Sequence, residues 1–328
     1  MKANSPLTKL PSGLKVAAQV SPEPTEADLQ FIQQMGVEYV VLWTHGEKAN
    51  YDYFASRREL FEKAGIKIYG FGNGSVHNQP AIVLNLPNRD EKVEEYKHYI
   101  RALGKAGIPY TTYAHMANSV WSTDREQTRG NATARAFDTA KASQELTHGR
   151  EYSEEEIWDN FAYFIKEVAP VAEEAGVMIG MHPDDPPGLK LGGVPRCIFS
   201  SFEGYKRAIE LADSPNVGLC FCAGCWLEGG DSMGKNVVDA IRHFGEQGKL
   251  FKVHFRNVNQ PLPHFVETFI DDGYMDMYKV MKALRDVDFN GVVIPDHIPR
   301  MADNPKVGTA YTIAYMNALV ARANEDAR

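Results

Sequence analysis

The chain has 328 residues, 44% of them apolar and 24% charged, with a net charge of −8. That composition belongs to a folded globular protein, and the length suits a (β/α)8 barrel with insertions. The acidic balance without a basic block argues against nucleic acid as a partner. No apolar run approaches the ~20 residues of a membrane span. The start, Met1-Lys2-Ala3-Asn4-Ser5-Pro6, lacks the apolar core of a signal peptide, so a cytoplasmic protein is expected.

Residues 14–20, mostly apolar, read as a first strand. Thr25, with Glu26 and Asp28 after it, opens a helix through a capping residue and early acids. A second strand falls at 37–43, a second helix at 56–64 stopped by Gly65, and a third strand at 66–71. Residues 90–106 form an amphipathic helix with Val93, Tyr96, Ile100 and Leu103 on one face. The fourth strand is 109–115. A polar stretch, 116–152, is too long for an idle loop in a barrel and is expected to be a lid or active-site insertion after strand 4. Ser153, followed by Glu154, Glu155 and Glu156, caps a helix running to Ala175. Strand five (177–181), a helix at 203–211, strand six (217–222), a helix at 237–245, strand seven (250–255), a helix at 275–285, strand eight (291–295) and a last helix at 309–323 complete the chain.

Eight strands alternating with eight helices predict one (β/α)8 TIM barrel over 1–328. A doubly wound sheet would carry a Gly-rich turn after strand one, and here that place is Ser21-Pro22-Glu23-Pro24. The four cysteines, Cys197, Cys220, Cys222 and Cys225, crowd into one short stretch, which is no disulfide framework and fits a reducing compartment. Cys222 and Cys225 make a C-x-x-C. A zinc ribbon would need a second pair, and a thioredoxin-like motif is the other reading of that spacing.

The last four strands carry the chemistry. Strand five ends at His182, strand six at Cys222, strand seven reaches His254 and strand eight ends at Asp296. In a closed barrel these ends are neighbours on one rim. Singly, a strand-end His is ordinarily a structural group, a strand Cys a core residue and an Asp after Pro a turn or cap. Two imidazoles, a thiolate and a carboxylate on four consecutive strand ends outweigh those readings and predict a divalent metal: Zn, Mn, Fe or Co each accept parts of the set. The period of two puts Cys220 on the same face as Cys222 but deeper, where it reads as core packing. Cys225 either lines the site or has no part in it. Arg256, two residues after His254, is expected at the barrel mouth, facing a substrate carboxylate or phosphate. Arg196 is a second clamp or a solvated loop residue. His297 is the nearest acid or base. His45, His77, Tyr113, His115 and Trp121 lie at or beyond the ends of strands two to four and are expected to line a polyol pocket.

These residues resemble the mannonate dehydratase family, a manganese-dependent hydro-lyase family whose barrel is like that of xylose isomerase. The resemblance runs through Ser75-Val76-His77, Leu86-Pro87-Asn88-Arg89-Asp90 and the Trp121 segment. It continues in His182-Pro-Asp-Asp-Pro-Pro187 with Val194-Pro195-Arg196, and in Asn216-Val-Gly-Leu-Cys-Phe-Cys222-Ala-Gly224. Val253-His254-Phe-Arg256-Asn257, Phe265-Val-Glu267, Asp272-Gly273-Tyr-Met-Asp276-Met277-Tyr278 and Pro295-Asp296-His297 complete it. The resemblance implies His182, Cys222, His254 and Asp296 as metal ligands and His297 as a catalytic His. Three departures stand out. Ile270 lies near a family His, Ile298 replaces the Gly after Pro-Asp-His, and the following loop to Lys306 is shorter, with no Tyr before Tyr311.

The implied reaction is metal-dependent dehydration of a sugar acid such as D-mannonate to a 2-keto-3-deoxy acid, in hexuronate catabolism. Mn2+ is the expected ion, with Fe2+, Zn2+, Co2+ or Mg2+ as substitutes. Homo-oligomeric assembly is compatible with the sequence. Two other readings stay open: a metal-dependent sugar isomerase or epimerase on the same barrel, and a metal-stabilised sugar-binding protein without turnover.

Overall fold

The computed structural model describes residues 10–302 and 304–326. The amino-terminal stretch discussed above and Asp303, in the loop after Arg300, lie outside the described residues. The first half runs β1 (Lys15–Gln19), α1 (Glu26–Gln34), β2 (Tyr39–Thr44), α2 (Tyr51–Lys63), β3 (Lys67–Asn73), α3 (Pro80–Val83), α4 (Arg89–Lys105), β4 (Tyr110–Ala114), β5 (Asp124–Gln127), β6 (Thr133–Asp138) and α5 (Glu154–Ala175). The second half runs β7 (Met178–His182), β8 (Lys190–Leu191), β9 (Val194–Pro195), α6 (Phe202–Ala212), β10 (Val217–Cys222), α7 (Ala223–Gly229) and α8 (Val237–Glu246). It ends with β11 (Leu250–Phe255), β12 (Asn257–Val258), β13 (His264–Thr268), α9 (Met277–Asp286), β14 (Val292–Pro295) and α10 (Pro305–Glu325).

Eight parallel strands close in the order β1-β14-β11-β10-β7-β4-β3-β2, the (β/α)8 barrel that the alternation predicts. Local chemistry sets the helix starts. Thr25 with Asp28 and Ser153 with Glu156 both form reciprocal capping boxes. Gly176, at φ +67°, ends α5 in the left-handed region that a Cβ disfavours. α2 begins earlier than expected because the Asn50 side chain accepts from the Tyr53 N–H.

Apolar burial divides into two layers. Between barrel and helices lie residues such as Phe54, Tyr99, Phe164 and Leu284. Inside the barrel, Ala17, Val41, Tyr69, Tyr110, Met178, Phe251, Val292 and Ile294 fill the floor. A packed floor leaves the carboxyl ends of the strands as the place for a cavity.

The stretch 116–152 contributes β5 and β6. β6 pairs antiparallel with β13, and β13 with β12, so a four-stranded sheet joins this stretch to the segment after β11. Sequence periodicity misses this sheet because its strands are short and polar, such as Asp124–Gln127. No described helix is long and apolar enough to cross a membrane.

Candidate active site

Because β7, β10, β11 and β14 are consecutive in the closed order, their last residues share one arc of the rim. Cys222 is in register with His254, and His254 with Ile294. His182 Nε2 stands 3.2 Å from His254 Nδ1. His254 Nδ1 stands 3.6 Å from Asp296 Oδ1, and Cys222 Sγ 3.9 Å from Asp296 Oδ2. Donors on bonds of 2.0–2.3 Å around one cation lie about 3.3–3.8 Å apart, and these three separations are close to that range; Cys222, His254 and Asp296 also lie within 4.8 Å of one another. The donor chemistry and the spacing both fit a divalent transition ion.

The charges agree with the geometry. Burial pushes His254 down, but Cys220 and Asp296 outweigh it and raise the ring to about 10. Burial pushes Cys222 up, yet the Cys225 contact and the Arg256 guanidinium hold its thiol well below the ordinary range. Cys220 behaves similarly: burial raises it, His254 and Lys252 pull it down, and it settles at about 6.

A cavity of about 530 Å³ opens over this cluster. Gln19, Trp43, His77, Thr112, His182, His254, Asp296, His297 and Arg300 are among its walls. His77 packs edge-on against Trp43 at 4.9 Å, and burial lowers it to about 3, so it is neutral at pH 7. His297 is about one-third exposed, at 35%, and its Nδ1 lies 2.7 Å from Glu267 Oε1. Burial lowers its pKa, but Asp296 and Glu267 more than compensate and lift it to about 9. Its backbone is left-handed, at φ +41°, which turns the ring back over the cavity.

Beneath the cluster lies a buried ionic network. Arg256, 1% exposed, touches Glu228 and Glu267 through Nη1, each at 2.5 Å, and Asp185 through Nη2 at 3.1 Å. Its Nε stands 3.1 Å from Asp296 Oδ2, an ion pair without a straight hydrogen bond. Nη2 also reaches Cys222 Sγ at 3.4 Å and Cys225 Sγ at 3.2 Å. Arg135, carried in by β6, pairs with Asp185, Glu228 and Glu267 at 2.5, 3.2 and 3.0 Å. Gly224 makes room for this: a Cβ there would fall 2.4 Å from Arg256 Nε.

The structure brings His182, Cys222, His254, Asp296, His297 and His77 together. Arg256 is expected to face a substrate anion, but its anions are the protein's own carboxylates, since a buried guanidinium is costly unless paired. Arg196 is likewise consumed inside the protein, donating to the backbone oxygens of Asp185 and Ser119. Tyr113 and His115 sit outside the barrel wall. Tyr113 stacks on Phe164 at 4.2 Å and bonds His115 Nδ1 at 2.9 Å, while His115 packs on Phe161. The pleat explains it: on β4, Thr112 faces the cavity and Tyr113 the helices. Trp121 is half-buried and donates its backbone N–H to the Asp185 carbonyl, outside the cavity wall. His45 is exposed at the start of a 3-10 turn. Cys225 lies against Arg256 and Asp185, below the cavity. Tyr311 is with Arg129, and Ile270 is buried in the outer core.

Sequence reasoning misses Gln19, Trp43, Arg135 and Arg300. The first two lie at strand ends, where the barrel rule could have found them. Arg135 has no signal, because its sheet has none. Arg300 sits in the shortened loop after His297, where no local pattern marks it.

The chain matches the family model described as D-mannonate dehydratase (UxuA) over residues 21–148 and 136–324. It is 33% identical to a mannonate dehydratase of Streptococcus pneumoniae over 270 residues, 73% of this chain and 72% of that protein. It is 31% identical to one of Thermotoga maritima over 289 residues, 77% and 78% of the two chains. The solved structure of mannonate dehydratase from Streptococcus suis serotype 2 superimposes with a TM-score of 0.86 at 28% identity, covering 96% of each chain. An L-ribulose 3-epimerase structure gives 0.64 at 13% identity, over 96% of this chain and 97% of that one, a likeness of fold alone.

Proposed function

This chain belongs to the D-mannonate dehydratase family of hydro-lyases, and from that premise we propose that it dehydrates D-mannonate, or a sugar acid close to it, to a 2-keto-3-deoxy acid. The observation that carries the reading is the convergence of His182, His254 and Asp296 on one wall of a cavity that His297 also lines, with Cys222 buried directly behind Asp296. Those four residues would hold the divalent ion, with Mn2+ as the expected occupant. When bound, the ion acts as a Lewis acid that stabilises charge developing on the substrate's carboxylate and adjacent oxygen.

The remaining steps belong to side chains. Dehydration removes the proton at C2 and expels the C3 hydroxyl with a proton of its own. The enol that remains becomes the 2-keto acid. His297 carries one of these protons: Glu267 receives its Nδ1–H and turns Nε2 to the cavity. Arg300 is the permanent cation on the cavity wall, and among the described residues its guanidinium has no hydrogen-bond or ion-pair partner. We assign it the substrate carboxylate, the role the sequence gives to Arg256. Arg256 instead holds Asp296 and Cys222 in place from below. The stretch 116–152 serves as an active-site insertion in this reading, because it delivers Arg135 to the network and pins Arg300 through the Thr133 carbonyl. The expected setting is the cytoplasm, in hexuronate breakdown.

Incubating the purified protein with Mn2+ and a panel of sugar acids and keto-sugars tests the assignment by mass spectrometry. Loss of one water from mannonate, with a 2-keto-3-deoxy acid as product, is expected. Turnover of a keto-sugar without loss of water would replace it with an isomerase or epimerase.

A further inference from the structure

The two histidines of the cluster are each tied down by the ring nitrogen that faces away from it. His182 Nδ1 lies 2.8 Å from the Pro183 carbonyl oxygen, which leaves Nε2 facing His254. His254 has its nitrogens the other way round. Its Nδ1 faces His182 at 3.2 Å and Asp296 at 3.6 Å, and its Nε2 faces Cys220 Sγ at 3.5 Å. A ring offers one nitrogen to an ion on one side, so Nδ1 is the donor and Nε2 keeps its proton.

A protonated ring nitrogen inside a barrel needs an acceptor. The neighbouring strands β10 and β14 use their backbone groups in the ladder with β11. Lys252, which precedes His254 on the same face of β11, is a donor and cannot serve. Cys220 remains. It is fully buried and lies on the face of β10 that also carries Cys222. One strand thus presents a sulfur to the ion and a second, deeper sulfur to the back of His254.

We propose that Cys220 is a positioning residue of the metal centre: its sulfur accepts the His254 Nε2 proton, fixes the tautomer and turn of that ring, and so sets metal affinity without touching the metal. This rests on the metal-centre reading above. It revises the expectation that Cys220 is only core packing. Outer partners of metal-bound histidines typically govern affinity by about 10–100-fold.

The test uses the full chain, stripped by a chelator and reloaded with Mn2+ alone, with Kd measured by chelator competition. Cys220→Ala should bind ~10–100-fold more weakly. Cys220→Val, which fills the space without an acceptor, should do the same. Cys220→Ser, which keeps one, should stay within about threefold of wild type, between full retention and that loss. Melting temperatures of the metal-free proteins should not follow this order. Co2+-loaded wild type and Cys220→Ser should share one sulfur-to-cobalt charge-transfer band, which Cys222→Ser abolishes. Wild-type affinity in Cys220→Val, or affinity in all three variants that simply tracks melting temperature, would overturn the proposal. So would a weaker cobalt band in Cys220→Ser, which would make Cys220 a ligand. If Cys222→Ser also left affinity and spectrum unchanged, the metal-centre reading itself would fail, a distinct result.

Discussion

His297 Nδ1 and Glu267 Oε1 meet at 2.7 Å, and the same Glu267 oxygen lies 2.5 Å from Arg256 Nη1. One buried carboxylate therefore orients the proposed proton carrier and also joins the ionic network under the residues proposed to hold the metal. This sharing explains why the sheet built from β6 and β13 belongs to the site although neither strand is part of the barrel.

The first prediction follows from that contact. His297→Asn removes the titratable ring, and Asn tolerates the left-handed backbone at this position. kcat should fall by ~10²–10⁴ with metal content unchanged. If His297 only orients Asp296, metal affinity should drop instead, and excess Mn2+ should restore the rate. Recovery of a near wild-type rate by added Mn2+ would remove the proton-transfer role.

The metal ligands make a second prediction. Cys222→Ala and His254→Ala each remove one of the four donors proposed to hold the ion. Elemental analysis should find both variants depleted of metal under conditions where the wild type is loaded. Full occupancy in both would dismantle the proposed set.

Arg300 and Arg256 separate in a third experiment. A charged hydrogen bond is worth about 1.5–3 kcal/mol, so Arg300→Ala should lower kcat/KM by roughly 10–150-fold. Its melting temperature should not change, since Arg300 is exposed and has no side-chain partner among the described residues. Arg256→Met strands buried carboxylates and should destabilise the fold by ~3–5 kcal/mol. Unchanged kinetics in Arg300→Ala on the true substrate would return the carboxylate contact to an open question.

How much of this was legible beforehand depends on which force fixes each part. Barrel strands such as Val217–Cys222 are apolar, short and bounded by turns, so local pattern reveals them. The convergence of His182, Cys222, His254 and Asp296 is legible because strand ends of a barrel meet by topology, whatever the side chains between them. Arg256 is legible as a residue at the end of β11, but its partners are not. Its acidic partners come from Asp185, Glu228 and Glu267, three segments whose meeting no local pattern encodes. Tyr113 and His115 differ for a smaller reason: lying near a strand end does not fix the face, and one residue along the pleat moves a side chain from cavity to helix layer.

Glu228 gives the last prediction. It is fully buried between Arg256 and Arg135, and its Oε2 has no hydrogen-bond partner. Burial raises its pKa, and Asp185 and Glu267 add to the effect. The two guanidiniums only partly oppose them, and the carboxyl settles at about 8. The folded state therefore holds this proton more tightly than the unfolded chain, where the value is near 4.5. Stability from the group is complete below pH ~4.5 and drains away as the pH rises to about 8, where the folded protein also ionises. Glu228→Gln fixes the neutral state and puts an N–H where the acid carries its O–H. Melts from pH 4 to 9 should show the wild type losing ground to Glu228→Gln across that window, with a constant difference above it. A difference that does not change between pH 5 and 8 would mean that Glu228 is already ionised in the fold, and that the two arginines outweigh its burial.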